Sequence, residues 1–155
     1  MATIGRFQDI DAWKAARQLT AMVYDAVGQD RFAKDWRLRD QLTGAAISIM
    51  ANIAEGFGCD SNAQFITFVA YAGRSAAEVE SLLYVALDRQ YVTQEQFAGL
   101  YAQAEKTANL IGGFVRYLRT HPDHPRARSH ASSETMRSKG PTPNSERSTP
   151  NKVRR

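Results

Sequence analysis

Apolar residues recur along the first 120 positions at intervals of three and four, the spacing of one helical face. No stretch alternates with the period of two that a strand requires. Ile10, Trp13, Ala16, Thr20, Val23, Tyr24 and Val27 predict a first helix over about 9–27. Gly28 reads as its stop, a residue free to take the left-handed turn that closes many helices. Positions 29–34 then read as a polar connection. Leu38, Leu42, Ala45, Ala46, Ile49 and Ile53 predict a second helix over about 35–55. Gln41 and Asn52 fall on the edge of that stripe, so both are expected to be partly buried and hydrogen-bonded. Gly44 in its middle costs ~1 kcal/mol against alanine, which a close helix–helix contact would explain.

Ser61 and Gln64 form a capping-box pattern ahead of a long stripe. It comprises Phe65, Phe68, Val69, Ala72, Ala76, Val79, Leu83, Ala86 and Leu87, and predicts a third helix to about position 90. Thr93 and Gln96 repeat the pattern ahead of Phe97, Leu100, Tyr101, Ala104, Ala108, Ile111, Phe114, Val115 and Leu118, a fourth helix. Arg116 and Arg119 in its last turn suit the negative end of the helix dipole. Short links make successive helices antiparallel neighbours. The expected fold is all-α, an up-down-up-down four-helix bundle over 1–120.

Beyond that point the composition shifts to Pro, Ser, Thr, Arg and Asn, with Met136 and Val153 the only large apolar residues. Such a segment buries too little surface to offset chain entropy, so 121–155 is expected to be a disordered tail. The split also divides the charge. Residues 1–120 carry 12 Lys/Arg against 13 Asp/Glu, and residues 121–155 carry 8 against 3. The formal charge of +4 therefore resides in the tail, in Arg126, Arg128, Arg137, Lys139, Arg147, Lys152, Arg154 and Arg155. A basic tail on a near-neutral body is a weak signal for nucleic acid. Cys59 is the only cysteine, the N-terminus has no long apolar run, and no stretch reaches the ~18–20 apolar residues of a membrane span. A cytoplasmic protein with no membrane partner is the expectation.

Candidate chemistry concentrates in 45–58, where Glu55 sits at the carbonyl end of its own helix, a position unfavourable to an acid. Glu55 and Asn52 read either as a functional polar site or as a tie to a neighbouring helix or subunit, the second favoured because buried polar groups normally serve structure. Glu78 is weighed as a carboxylate partner of Glu55, and Arg74 or Arg39 as a cationic one. Gln41, Asn52, Glu55, Arg74 and Glu78 thus form the candidate assembly network. His121, His124 and His130 all lie in the tail, leaving no base to activate Cys59, Ser48 or Ser75, and no thiol-supported metal site. No catalytic residue, metal or cofactor is expected. Trp13, Trp36, Phe57 and Tyr71 read as core or interface aromatics rather than base-stacking ones, with Trp36 and Phe57 the better interface candidates.

Several segments in order then carry a resemblance. They are Phe7-Gln8-Asp9-Ile10-Asp11-Ala12-Trp13-Lys14-Ala15, Leu38-x-x-Gln41-Leu42, Ala45-Ala46-Ile47-Ser48-Ile49 and Asn52-Ile53-Ala54-Glu55-Gly56-Phe57-Gly58. Phe65-x-x-Phe68 and Gly73-Arg74-Ser75-Ala76-Ala77-Glu78 follow. Over about 7–119 the chain resembles the bacterial four-helix-bundle family of 23S rRNA intervening-sequence proteins and the accessory variability determinants of diversity-generating retroelements. The resemblance implies a non-enzymatic bundle that assembles as a ring, often a homopentamer. In the retroelement members it implies nucleic-acid binding and a reverse transcriptase partner. The chain departs from the pattern at Thr43-Gly44, Met50 and Cys59, and two of these changes remove positive charge from the body, which shifts any phosphate contact to the tail. The function expected is an accessory protein that binds RNA or DNA or scaffolds a nucleic-acid enzyme. The alternative is a protein–protein interaction module without nucleic acid.

Overall fold

The computed structural model describes residues 4–122, and among them every regular element is helical. A 3-10 turn at Phe7–Asp9 leads into α1 (Asp11–Val27), α2 (Asp30–Lys34), α3 (Trp36–Gly58), α4 (Asn62–Asp88) and α5 (Gln94–Thr120). The four long helices pack in the cyclic order α1, α3, α4, α5, with α5 closing on α1. This is the expected antiparallel bundle, with α2 as an extra short helix. One core runs through it, built from Leu19 and Val23 of α1, Leu42, Ile49 and Ile53 of α3, Val69, Val79 and Leu83 of α4, and Ile111 and Leu118 of α5. The expected disordered tail, with all eight of its basic residues, lies outside the described residues from position 123 onward.

The helix ends follow local chemistry. Asp35 caps α3, its Oδ1 accepting from the Leu38 amide at 3.1 Å, while its Oδ2 accepts from the Tyr91 hydroxyl at 3.2 Å. Thr93 forms the complete capping box at the start of α5, accepting from Gln96 N at 3.1 Å while Gln96 Oε1 accepts from Thr93 N at 2.9 Å. Ser61 accepts from Gln64 N at 3.2 Å, but the Gln64 side chain meets the Ser61 hydroxyl instead of its amide, so only half of that box forms. Asn62 donates to the Leu118 carbonyl at 2.9 Å, fastening the start of α4 to the end of α5.

Four expectations need correction. Positions 29–34 are not simply a polar connection. They fold as α2, because Phe32 is buried and stacks on Tyr91 with ring centroids 5.1 Å apart. Gly28 is not left-handed. Its φ of −75° is right-handed helical, since the chain runs on into α2 rather than reversing. Among the described non-glycine residues the left-handed positions are Asp30 (φ 36°) and Gln90 (φ 56°). Helix α3 does not stop at Glu55 but continues to Gly58, and it needs Gly56 for packing. A Cβ built there would lie 2.7 Å from Phe68 Cβ and 2.8 Å from Phe65 Cδ2. Gly44 has the opposite surroundings. It is exposed, and among the described residues nothing lies within 4 Å of a Cβ built on it, so no described helix closes on it.

Two buried polar residues on α5 complete the core. Gln103 Nε2 donates to the Ala15 carbonyl at 3.0 Å, tying α5 to α1. Thr107, fully buried, donates to the Gln103 carbonyl at 2.8 Å. Each donor finds an acceptor, as burial requires.

Candidate interaction face

Helices α3 and α4 meet along a seam held by three polar side chains. Asn52 Nδ2 donates to the Ser48 carbonyl at 2.8 Å and to Ser48 Oγ at 3.0 Å. Ser75 Oγ donates to Ser48 Oγ at 3.0 Å, crossing from α4 to α3. Asn52 is therefore bonded within α3, and the step to α4 is made by Ser48 and Ser75, two serines that the sequence offered only as nucleophiles without a base.

The other candidate residues are distributed differently. With Ser48 opposite Ser75 and Gly56 opposite Phe68, the antiparallel register offsets Glu55 from Glu78 by about 15 Å along the axis at 1.5 Å per residue. The two carboxylates do not form one site. Glu55 and Glu78 are exposed, and neither makes an ion pair among the described residues. Arg74 is exposed and lies over the Tyr71 ring, 5.3 Å from its centroid, rather than on a carboxylate. Arg39 is engaged by Asp40 at 3.3 Å and by the Ala33 carbonyl at 3.3 Å. Gln41, expected partly buried, is exposed, because it lies on the solvent side of α3.

The outward side of α3 is the unexpected feature. Between Asp40 and Glu55 it presents Gly44, Ile47, Ala51 and Ala54, none of them charged. Ile47 is 45% exposed although it is β-branched and apolar. Tyr71, 43% exposed, stands beside this strip on α4, near Asn52 in the register. Trp36 at the head of α3 is 65% exposed. Phe57 is half-buried and edge-on to Phe65 at 6.1 Å, and Trp13 is half-buried and edge-on to Phe7 at 5.2 Å, so these two belong to the core margin. Ile47 is an apolar residue off the buried stripe of its own helix, a signal present in the sequence itself.

A second surface group lies across the bundle, between α4 and α5. Tyr84 meets Phe97 and Tyr101 at centroid distances of 5.0 and 5.5 Å, and Phe97 stacks on Tyr101 at 5.4 Å. The Tyr101 hydroxyl is held above the usual tyrosine range, first by its hydrogen bond with Tyr84 and further by the nearby charges of Glu80 and Glu105.

Cys59 is half-buried and donates to the Glu55 carbonyl at 3.4 Å. His121 packs on Tyr117 with ring centroids 4.4 Å apart, its Nδ1 3.1 Å from the Tyr117 carbonyl. His124, His130 and the basic residues from Arg126 to Arg155 lie outside the described residues. Among the described residues no group of three His, Cys, Asp or Glu side chains is placed to hold a metal ion, and no helix is long and apolar enough to cross a membrane.

Comparison with known proteins gives the fold a place. Residues 8–113 match the family model described as 23S rRNA-intervening sequence protein. A solved structure of a protein with unknown function from the S23 ribosomal protein family of Bacteroides thetaiotaomicron VPI-5482 is similar in fold. Its TM-score is 0.62 at 21% identity, covering 68% of this chain and 98% of that one. None of the curated proteins matches.

Proposed function

The chain belongs to the 23S rRNA-intervening sequence protein family, and from that membership we propose that it serves as a non-enzymatic scaffold whose bundle assembles with further copies and whose tail attaches the assembly to RNA or DNA. The observation that carries this reading is the outward side of α3. Four turns without a charge, with Ile47 exposed and Tyr71 beside it, suit a protein surface better than water or phosphate. Glu55, Glu78 and Arg74 around it, which make no ion pair among the described residues, are placed to form ion pairs with another copy at the rim of such a contact. A closed ring, pentameric as the family resemblance suggests, satisfies such a surface on every subunit. Nucleic acid would then meet the eight basic residues of the tail, since the body is near neutral.

Two measurements test the halves separately. Ile47→Lys places a charge at the centre of the strip without disturbing the core, and is expected to convert the assembly to monomer in light scattering at micromolar concentration while helicity is unchanged. A wild-type chain that is already monomeric there would remove the assembly half. Binding to structured RNA is expected to weaken steeply with salt and to be lost when the eight tail Lys/Arg are changed to Gln. If the wild-type chain binds no RNA or DNA at low salt, the function is a protein–protein module. A reverse transcriptase gene with template and variable repeats beside this one would make that enzyme the scaffolded partner.

A further inference from the structure

The aromatic group between α4 and α5 has a feature that core packing does not require. Tyr84 is 50% exposed, and Phe97 and Tyr101 are half-buried, so three ring systems border solvent. The register of the two helices is fixed by Tyr84 against Tyr101 and by Gly73 against Ile111. In that register Glu80, one turn before Tyr84, faces Glu105, one turn after Tyr101. Two carboxylates thus oppose each other across the groove beside the aromatic faces, and neither makes an ion pair among the described residues. The influence of both charges on the Tyr101 hydroxyl is evidence of their proximity. The next cation along that side of α5, Arg116, lays its guanidinium over Gly112 and Gly113, about two turns from Glu105. Aromatic faces beside paired carboxylates recognise Arg and Lys side chains, through the ring quadrupole and through direct ion pairing.

The chain carries its own ligand of that chemistry. Thr120 ends α5 19 residues beyond Tyr101, about 28 Å along the helix. The 17 to 35 residues that separate Thr120 from positions 137–155 are enough to cover that distance, at up to about 3.3 Å of reach per residue. That segment holds Arg137, Lys139, Arg147, Lys152, Arg154 and Arg155 against a single acid, Glu146. We propose that residues 137–155 dock back on the α4/α5 groove of the same chain, with Arg and Lys side chains on Tyr84, Phe97 and Tyr101 and between Glu80 and Glu105. The docked tail is withheld from phosphate, so nucleic acid and the groove compete for the same cations. As control of attachment this rests on the function proposed above, whereas the docking itself does not.

Trypsin reads the docking directly, because the docked side chains are its cleavage sites. In the full-length protein at about 50 mM salt, Glu80→Gln/Glu105→Gln is expected to speed cleavage within 137–155 about fivefold or more, and the difference is expected to vanish at about 500 mM salt. Asp40→Asn, an exposed carboxylate on α3, is expected to leave the rate unchanged. The Gln substitutions keep side-chain shape, and circular dichroism checks that both variants are folded. Equal cleavage of wild type and double variant at low salt overturns the proposal. Zero-length carbodiimide coupling is expected to join Lys139 or Lys152 to Glu80 or Glu105 within one chain. Coupling and protection that grow with protein concentration would assign the groove to the tail of a second copy and overturn the intramolecular form. Single-stranded RNA is expected to bind the double variant several-fold more tightly than wild type. Docking without RNA binding by either protein would sink the nucleic-acid reading alone.

Discussion

Gly44 and Gly56 lie on one helix, yet their surroundings are opposite. Gly56 is pressed between Phe65 and Phe68 of α4, with no room for even a methyl group. Gly44 opens onto an uncharged outer strip, with no described residue close to a Cβ built on it. The inner face of α3 is thus specified by close packing within the chain. Its outer face carries the propensity cost of a glycine for which the chain itself shows no use. The contrast separates what this helix does for its own bundle from what it offers to another molecule.

The largest effect is expected at the inner face. Gly56→Ala forces α4 away or displaces Phe65, and should lower stability by about 1–3 kcal/mol in denaturant unfolding, the usual cost of overpacking. No loss would mean that the α3/α4 contact yields freely. Gly44→Ala is expected to act in the other direction, raising the stability of the isolated subunit by up to about 1 kcal/mol through helix propensity. Weaker assembly alongside that gain would mean that the backbone of another copy approaches Gly44. Ser75→Ala, which removes the hydroxyl bridge to Ser48, should cost about 0.5–1.5 kcal/mol. An unchanged midpoint would show that the seam is held by its apolar contacts alone.

The smallest effect concerns the opposite side of α4. Because Tyr101 holds its proton more tightly in the folded chain, it adds no pH dependence below the ordinary tyrosine range, and stability declines as pH rises through and above that range. Tyr84→Phe removes the leading cause, and ultraviolet titration should then show Tyr101 ionising at lower pH. An unmoved titration would leave desolvation together with the charges of Glu80 and Glu105 as the cause.

The fold was legible because each long helix writes its stripe locally, and because Ser61 and Thr93 mark their starts with side-chain chemistry that acts within three residues. Helix α2 was not legible, since Phe32 makes no periodic pattern and joins a core whose other members, Tyr91 among its neighbours, lie far along the chain. Gln103 resembles a surface residue until the Ala15 carbonyl supplies an acceptor, and Thr107 until the Gln103 carbonyl of its own helix does. Gly44 was misread for the same reason. Sequence locates a glycine, but only the neighbouring helix determines whether the space beside it is filled. Of the candidate polar residues, Asn52 is placed by contacts within its own helix, whereas Gln41, Glu55, Arg74 and Glu78 face outward, and the sequence pattern of one helix holds no record of a neighbour outside the bundle.

The bond from Asn62 to the Leu118 carbonyl fixes where the described chain leaves the bundle, at the end where α3 turns into α4. Rotational symmetry carries that exit to the same rim on every subunit of a closed ring. Five copies would present forty basic side chains from one side, and a nucleic-acid strand held by one tail would find the next already at high local concentration. Avidity of that kind would allow individually weak tails to act together, and would make attachment depend on ring closure more sharply than on the affinity of any single tail.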